Sequence, residues 1–293
     1  HPLVQVSHEA TIIDVSGYVG SFVTTVKSEG RTKTIRHGVT ILATGADEHR
    51  PTEYLYGEDA RVLTQLELEE RISQRADALA NAKAVAMIQC VGCRSEDRNY
   101  CARVCCSQAI KNAIQLKKLS PEREIYIFFR DMRTYGLKED SYREAADRGV
   151  HFVRFEPANA PLVEAVVDDG RSVLRVTAPD PILRRRLAVD VELLVLSTAV
   201  VPSAGSPEVA RQFKVAMNPD GFFQEAHVKL RPVDSVGDGV FICGANHYPK
   251  HISETINQAL GAAGRAGCLL AQDTVAASGA ICDVKEVDCV SCG

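Results

Sequence analysis

The sequence predicts an α/β fold built on a parallel sheet, and three observations support this prediction. Short apolar runs at residues 84–89, 124–129 and 150–155 have the composition of fully buried strands. They alternate with two segments of helical periodicity, and this is the pattern of a doubly wound parallel unit. Short alternating runs between residues 162 and 189 then predict an antiparallel meander packed on that sheet.

Length and charge narrow the class of protein. With 293 residues, 45% of them hydrophobic, the chain is long enough for one large or two medium domains. The net charge of -4 argues against nucleic-acid binding, which requires a basic surface. No apolar run reaches bilayer length and no signal peptide is recognisable, so we expect a soluble, cytoplasmic protein without a membrane span.

The elements before the first buried strand are predicted in order. Residues 10–15 form a strand, and residues 21–26 and 31–35 pair as a hairpin across Glu29-Gly30. The strand at 39–43 runs into Thr44-Gly45-Ala46, where a glycine by itself indicates only a turn. Residues 62–82 have a helical pattern with one polar face, and we expect this segment to link two domains.

Half of the ten cysteines lie on one connection, at Cys90, Cys93, Cys101, Cys105 and Cys106. The connection joins the strand at 84–89 to a predicted helix at 102–118. In a dinucleotide-binding unit, this position holds the glycine-rich turn that binds a pyrophosphate at the helix N-terminus. Here thiols take the place of that turn.

Spacing alone leaves several chemistries open for these thiols. Four thiolates are the number that a [4Fe-4S] cluster takes. Cys90, Cys93, Cys101 and Cys105 also have spacings suitable for zinc, and on spacing alone the cluster is only modestly favoured over zinc. Cys90 and Cys93 form a C-x-x-C pair of the kind used in thiol oxidoreductases. Five buried structural thiols, or a disulfide framework, explain the pattern less well.

The last third of the chain contains a predicted strand at 240–244 and a long helix at 252–272. Glycines at every third position of this helix predict close packing against a sheet. Cys243 and Cys268 are expected to be buried thiols, and His247 and His251 to line a pocket or the surface. The sequence begins at His1 and ends in Cys289-Val-Ser-Cys292-Gly293, the start of a ferredoxin-type motif, so we expect a fragment of a longer protein.

Four stretches of the sequence resemble the A subunit of heterodisulfide reductase, namely residues 15–22, 88–92 with 100–106, 126–133, and 239–244 with 249–255. The resemblance implies two Rossmann-like domains of the thioredoxin-reductase type with a β-meander, here incomplete. Residues 1–80 and 200–275 then form a partial FAD-binding domain, and residues 81–199 a unit like an NAD(P) domain that carries the iron–sulfur loop. Residues 276–293 are a linker and the start of a truncated ferredoxin-like segment.

The resemblance also implies site residues, carried over position by position. The ligands of a [4Fe-4S] cluster are Cys90, Cys101, Cys105 and Cys106, and Cys93, where the family usually has serine, is an alternative ligand. The residues that contact FAD are Thr44 and Gly45 in a first half-site, and Gly244, Ala245, Pro249, Lys250 and Ile252 in a second. The family's glycine-rich pyrophosphate loop has no counterpart in this sequence, so we expect an incomplete FAD site.

The function implied is electron transfer between FAD and [4Fe-4S] clusters, either as a simple relay or as flavin-based bifurcation, without catalytic acid–base residues. Its partners are other subunits of heterodisulfide-reductase-like, hydrogenase or dehydrogenase complexes, with a homodimer as one arrangement. Direct oxidation of NAD(P)H is disfavoured because the phosphate loop is replaced. The alternatives are a zinc-stapled binding module and a thiol–disulfide oxidoreductase that uses Cys90 and Cys93.

Overall fold

The computed structural model describes residues 1–74, 79, 82–168, 170–180 and 184–276. The first half of the chain contains β1 (Thr11–Ser16), β2 (Phe22–Ser28), β3 (Arg31–His37), β4 (Thr40–Leu42), β5 (Ala46–Glu48), β6 (Val62–Thr64), α1 (Gln65–Ser73), β7 (Ala84–Val91), α2 (Cys105–Leu119), β8 (Glu124–Phe129) and α3 (Lys138–Asp147). The second half contains β9 (Val150–Arg154), β10 (Leu162–Asp168), β11 (Arg171–Asp180), β12 (Arg185–Val191), β13 (Leu193–Thr198), β14 (Val200–Pro202), α4 (Ser206–Phe213), β15 (Val240–Ile242) and α5 (Ile252–Leu270).

A five-stranded parallel sheet forms the centre of the molecule, in the order β6-β13-β7-β8-β9. All six residues of β13 are buried, as expected for a strand covered on both faces. Helices α1, α2 and α3 pack on one face and the β10-β11-β12 meander on the other. The predicted α/β class and the alternation of strands and helices are therefore confirmed. The carboxyl end of β7, from which the cysteine connection leaves, lies in the middle of this sheet.

The segment predicted as a helix at 62–82 begins differently. Residues 62–64 form β6, which pairs with β13, and the helix starts only at Gln65. Thr64 ends the strand and caps the helix: its side chain accepts the Glu67 N–H, while the Glu67 carboxylate accepts the Thr64 N–H at 2.9 Å. Pairing with β13 therefore outweighed the helical pattern of these three residues. Residues 75–78, 80 and 81 lie outside the described part.

The predicted N-terminal hairpin is confirmed, with Ser28 opposite Arg31. Glu29 and Gly30 both have positive φ, 49° and 75°, as a two-residue turn between twisted strands requires. Two small sheets follow: β4 pairs in parallel with β15, and β5 pairs antiparallel with β14. The strands β5 and β14 and the helix α4 were not predicted, because each is short.

Helix α5 differs from its prediction in packing. Only Ala262 and Ala266 are buried on it. A Cβ added at Gly261, Gly264 or Gly267 would meet no atom within 4 Å, so the expected close packing of this glycine stripe is wrong for the described residues. Cys268 is exposed rather than buried, whereas Cys243 is buried as predicted. Among the described helices, none is both long and apolar enough to cross a membrane.

Candidate metal centre

The thiol loop, residues 90–106, runs from the end of β7 into the first turn of α2. Three of its residues, Cys90, Arg94 and Arg103, have φ between 56° and 65°, so the chain bends sharply where a regular strand and helix would continue. Val104 occupies the N-cap of α2 without a side-chain hydrogen bond to the helix. The first N–H groups of α2 are therefore open to an anionic group at this end.

The five thiols lie in one region. Cys93, Cys105 and Cys106 are 2–3% exposed and pack with Ala102 and Ala199, while Cys90 contacts the same group from a less buried position. Cys101 accepts the backbone N–H of Arg103 at 3.2 Å and interacts electrostatically with Cys93. The structure thus brings the four predicted ligands, and the alternative Cys93, to the same connection.

The pKa values of two of the thiols, Cys90 and Cys106, are lowered. A hydrogen bond with Cys93 and the charge of Arg94 lower the pKa of Cys90 to about 6, against an opposing effect of burial. In the second pair, a hydrogen bond with Cys105 lowers the pKa of Cys106, and the same bond together with burial raises the pKa of Cys105. Metals and clusters bind thiolates, so this environment favours ligation.

Arginines surround the thiols on the side of β8. Arg94 lies 3.8 Å from the Cys90 Sγ and forms a 2.5 Å ion pair with Asp131, directly after β8. Arg130 donates to the Arg94 carbonyl at 2.8 Å. In a dinucleotide-binding unit, an acidic residue beyond the first helix binds a ribose hydroxyl. Here Asp131 is engaged by the thiol loop instead, and sequence reasoning did not identify this contact.

The residues present fit a cluster. Both amide atoms of Gln89, the Oγ of Ser107 and the Nε of Arg130 are buried and lack a hydrogen-bond partner. The thiolate and sulfide sulfurs of a [4Fe-4S] cluster would supply acceptors to the Gln89 Nε2, the Ser107 hydroxyl and the Arg130 Nε. Within the described residues, no three His, Cys, Asp or Glu side chains are arranged to hold a single metal ion. The potential hydrogen-bond donors around the thiols, rather than the distances between the thiols, favour a cluster.

The predicted flavin half-sites meet at one edge. Thr44 and Gly45 follow β4, while Gly244 and Ala245 follow β15, and parallel pairing brings these two strand ends together. The Cys243 N–H donates to the Leu42 carbonyl at 3.0 Å. Gly45 and Gly244 have φ of 75° and 87°, and the space beside the Gly45 Cα is open. A flat ligand can therefore approach this edge closely.

A buried polar network supports the second half-site. Lys250 donates to the Gly244 carbonyl at 2.6 Å and to the Gln258 Oε1 at 2.5 Å. The Gln258 amide lies 2.8 Å from the Nδ1 of His247, whose Nε2 contacts Glu225. Burial lowers the pKa of Lys250 to about 8 and lowers that of His247. The expectation that His247 and His251 line a pocket or the surface holds for His247, which lines a cavity of about 410 Å³, whereas His251 is 7% exposed.

Arg103 joins the thiol loop to the second half-site. Its guanidinium donates to the Glu254 carboxylate at 2.6 Å, to the Tyr135 hydroxyl at 3.1 Å and to the Pro249 carbonyl at 3.4 Å. It also lies 5.5 Å from the centre of the Tyr248 ring. Nothing in the sequence pattern signalled this contact, because the partners are 32 to 151 residues away along the chain.

Comparison with known proteins shows what this chain is similar to. No protein-family model matches the chain. It is 36% identical over 272 residues to an iron-sulfur A subunit of CoB--CoM heterodisulfide reductase from Methanopyrus kandleri, covering 87% of this chain and 41% of that protein. It is 32% identical over 297 residues to the A subunit of a ferredoxin:CoB-CoM heterodisulfide reductase from Methanosarcina acetivorans, covering 87% and 36%.

Solved structures show the fold. The thioredoxin reductase of Lactococcus lactis matches with a TM-score of 0.54 and 15% identity, over 89% of this chain and 74% of that one. The thioredoxin reductase of T. acidophilum matches with a TM-score of 0.50 and 13% identity, over 89% and 72%. The chain spans about two-fifths of the length of the curated relatives it matches. Over that aligned region, the chain is similar to A subunits of heterodisulfide reductases, and it has the thioredoxin-reductase fold.

Proposed function

We propose that this chain is the electron-transfer part of a heterodisulfide-reductase-like oxidoreductase, in which the thiol loop holds a [4Fe-4S] cluster beside a flavin. The ligands are Cys90, Cys101, Cys105 and Cys106. The observation that carries the proposal is the convergence of five thiols, three of them buried and two half-buried, at the position of a pyrophosphate loop. Two thiols with lowered pKa and unpartnered polar atoms beside them support it.

The chain's own residues bind and shield the redox groups, which supply one- and two-electron chemistry when bound. Ala102, Ala199 and the neighbouring apolar side chains exclude water from the thiols. Thr44, Gly45, Gly244, Ala245 and the turn of Pro249, Lys250 and Ile252 are the proposed contacts to FAD. Lys250 places a positive charge, held by two hydrogen bonds, at the edge where electrons would enter or leave a flavin.

Electrons reach the site from partner subunits in this proposal, rather than directly from NAD(P)H. The position of the pyrophosphate loop is taken by thiols, and Asp131 is paired with Arg94. The name of the Methanosarcina acetivorans relative includes ferredoxin, so a ferredoxin-type donor is the partner we propose. Whether the flavin divides electron pairs between two acceptors is a finer part of the same proposal.

Metal analysis tests the proposal. We expect anaerobically purified chain to contain about four irons and four acid-labile sulfides, with a brown absorption band that dithionite bleaches. Bound zinc would call for anaerobic reconstitution with iron and sulfide. If zinc persists and no colour develops, the thiol loop is a structural staple and the proposal is wrong. A folded chain that takes up neither metal would also contradict it.

A thiol–disulfide function for Cys90 and Cys93 is the second candidate. The lowered pKa of Cys90, about 6, and its hydrogen bond with Cys93 favour it. In the metal-free chain, this function requires rapid alkylation of one of the two thiols near neutral pH. Slow alkylation of both thiols would contradict a thiol–disulfide function.

A further inference from the structure

Gln89 has an unpaired side-chain amide in the cluster-free chain. Its side chain is 1% exposed, and neither its Nε2 nor its Oε1 has a partner among the described residues. Leaving a buried amide unpaired is energetically costly, and native proteins rarely tolerate it without a reason. Gln89 directly precedes Cys90, at the point where β7 leaves the sheet and enters the thiol loop.

A second buried glutamine shows that the fold satisfies such amides elsewhere. Gln65, also 1% exposed, donates to the Ser197 hydroxyl at 3.2 Å and accepts from Asn112 at 2.8 Å. Gln65 and Gln89 have the same side chain and the same burial, and Gln65 also contacts the Met87 Sδ at 3.5 Å on the same strand as Gln89. The unpaired state is therefore particular to the glutamine beside the thiols.

Other orphaned polar atoms occur on the elements that surround the thiols. The Oγ of Ser107, next to Cys106, lacks a partner in the first turn of α2. The Nε of Arg130 lacks one directly after β8, and the charge of Arg130 acts on Cys90. Unpaired atoms also occur elsewhere in the described residues, but the potential donors on these three separate elements, all adjoining the thiol loop, suit a ligand with several weak acceptor atoms. The sulfurs of an iron–sulfur cluster have this chemistry.

We propose that the Gln89 amide donates a hydrogen bond to a sulfur of the cluster, so that a donor without a partner in the cluster-free chain gains one when the cluster binds. This proposal rests on the proposed function. It makes Gln89 a positioning residue that sets the reduction potential. A hydrogen bond to sulfur stabilises the reduced cluster, which carries more negative charge, and so raises the potential.

The substitution Gln89→Met tests this, because methionine keeps the length of the side chain and removes the donor. In the cluster-free chain, we expect Gln89→Met to leave the urea midpoint unchanged or raise it. In the reconstituted chain, we expect unchanged iron and sulfide content and a more negative midpoint potential in a redox titration followed by EPR. The matched control Gln65→Met should lower the urea midpoint and leave the potential unchanged, because it removes a satisfied amide away from the thiols.

Two results would overturn the proposal. One is a fall in the urea midpoint of cluster-free Gln89→Met as large as that of Gln65→Met, which would mean that the amide already has a partner. The other is an unchanged potential in the reconstituted variant. If the wild-type chain takes up no iron and sulfide, the proposed function fails instead, and the urea comparison still reports whether Gln89 is unpaired.

If Gln89→Met does not fold, a spectroscopic measurement on a chain that keeps Gln89 tests the same hydrogen bond. The chain is labelled with ¹⁵N in its glutamine side chains, with Gln108, which lies two residues after Cys106, replaced by methionine. A ¹⁵N coupling to the reduced cluster in pulsed EPR supports the hydrogen bond. The absence of that coupling, with the cluster present, contradicts it.

Discussion

At the scale of single residues, the five thiols of the loop are not equivalent. Cys93, the one thiol outside the four proposed ligands, is hydrogen-bonded to Cys90, whereas Cys105 and Cys106, both proposed ligands, are hydrogen-bonded to each other. We therefore expect Cys101→Ser to abolish the uptake of about four irons by anaerobic reconstitution, and Cys93→Ser to leave it intact. The exposed Cys268 offers the control, since Cys268→Ser should behave like the wild type. Iron and sulfide content per chain is the measurement.

The same assay can show whether Cys93 replaces Cys90 as a cluster ligand. If Cys93 can replace Cys90, the variant Cys90→Ser retains iron with an altered EPR spectrum, and the double variant Cys90→Ser/Cys93→Ser loses it. Loss of iron in both would assign the position to Cys90 alone. Equal retention in both would contradict ligation by this part of the loop.

Arg123 lies outside the candidate site, and we expect it to contribute to the free energy of unfolding. It is 3% exposed, has no carboxylate partner among the described residues, and donates to the carbonyls of Ala82 at 2.7 Å, Leu116 at 3.4 Å and Leu79. We expect Arg123→Met to lower the free energy of unfolding by about 2–4 kcal/mol, because three carbonyls lose a donor. Urea denaturation of the cluster-free chain measures this.

The control for Arg123 is an exposed arginine. The side chain of Arg143 is 71% exposed and makes a 3.8 Å contact within its own helix. Arg143→Met should change the free energy of unfolding by less than about 0.5 kcal/mol. A comparable loss in the two variants would show that the buried hydrogen bonds of Arg123 contribute little.

At the scale of elements, Arg103 is the connection between the thiol loop and the start of α5. It links Tyr135, Pro249 and Glu254 to a loop whose backbone is itself in an unfavourable conformation, with φ of 63° at Arg103. We expect Arg103→Met to increase amide hydrogen exchange about tenfold at residues 100–106 and 249–255, since charged hydrogen bonds of about 1.5–3 kcal/mol are lost.

Two comparisons make this prediction specific. The control is Arg133, which follows β8 and makes a 3.6 Å contact with Asp131. Arg133→Met should leave the amide groups of both segments protected from exchange. Arg103→Lys should restore part of the protection, because an ammonium still reaches Glu254 but cannot contact three acceptors at once. Faster exchange in only one of the two segments would mean that Arg103 does not connect them.

At the scale of the whole molecule, three histidines make stability depend on pH in the same direction. Burial lowers the pKa of His49, His247 and His251 below the ordinary value of 6.5. The unfolded chain then binds protons more readily than the folded chain, so stability is complete above pH 6.5 and is lost as the pH falls through the lowered folded values. We expect the urea midpoint of the cluster-free chain to fall between pH 7.5 and 5.5.

His247 lies in a hydrogen-bonded network with Gln258, Lys250 and Glu225 around it. The variant His247→Gln should therefore show a smaller fall in the urea midpoint over the same range. His8, which is exposed, provides the control, and His8→Gln should retain the full dependence on pH. A steeper dependence in His247→Gln would contradict the direction of the pKa shift.

The features that the sequence determined by itself are those encoded within short stretches of the chain. Apolar runs at 84–89, 124–129 and 150–155 predicted three strands of the parallel sheet, and the first of them is covered on both faces, whereas the third is a partly buried edge strand. The thiols after the first of these strands predicted a candidate metal centre at the carboxyl edge of the sheet. Gly30 predicted the hairpin, since glycine readily adopts the positive φ that the turn requires. The ferredoxin-type motif expected at residues 289–293 lies outside the described residues.

What only the tertiary structure decided depends on contacts between distant parts of the chain. Residues 62–64 are a strand because β13, more than a hundred residues later, offers them an edge. The glycines of α5 face open space, which helical periodicity cannot reveal. Gln89 and Gln65 look alike in the sequence, and only the packed fold leaves one amide unpaired beside the thiols and satisfies the other. Hydrogen-bond satisfaction is a property of three-dimensional neighbours, so a one-dimensional pattern does not contain it.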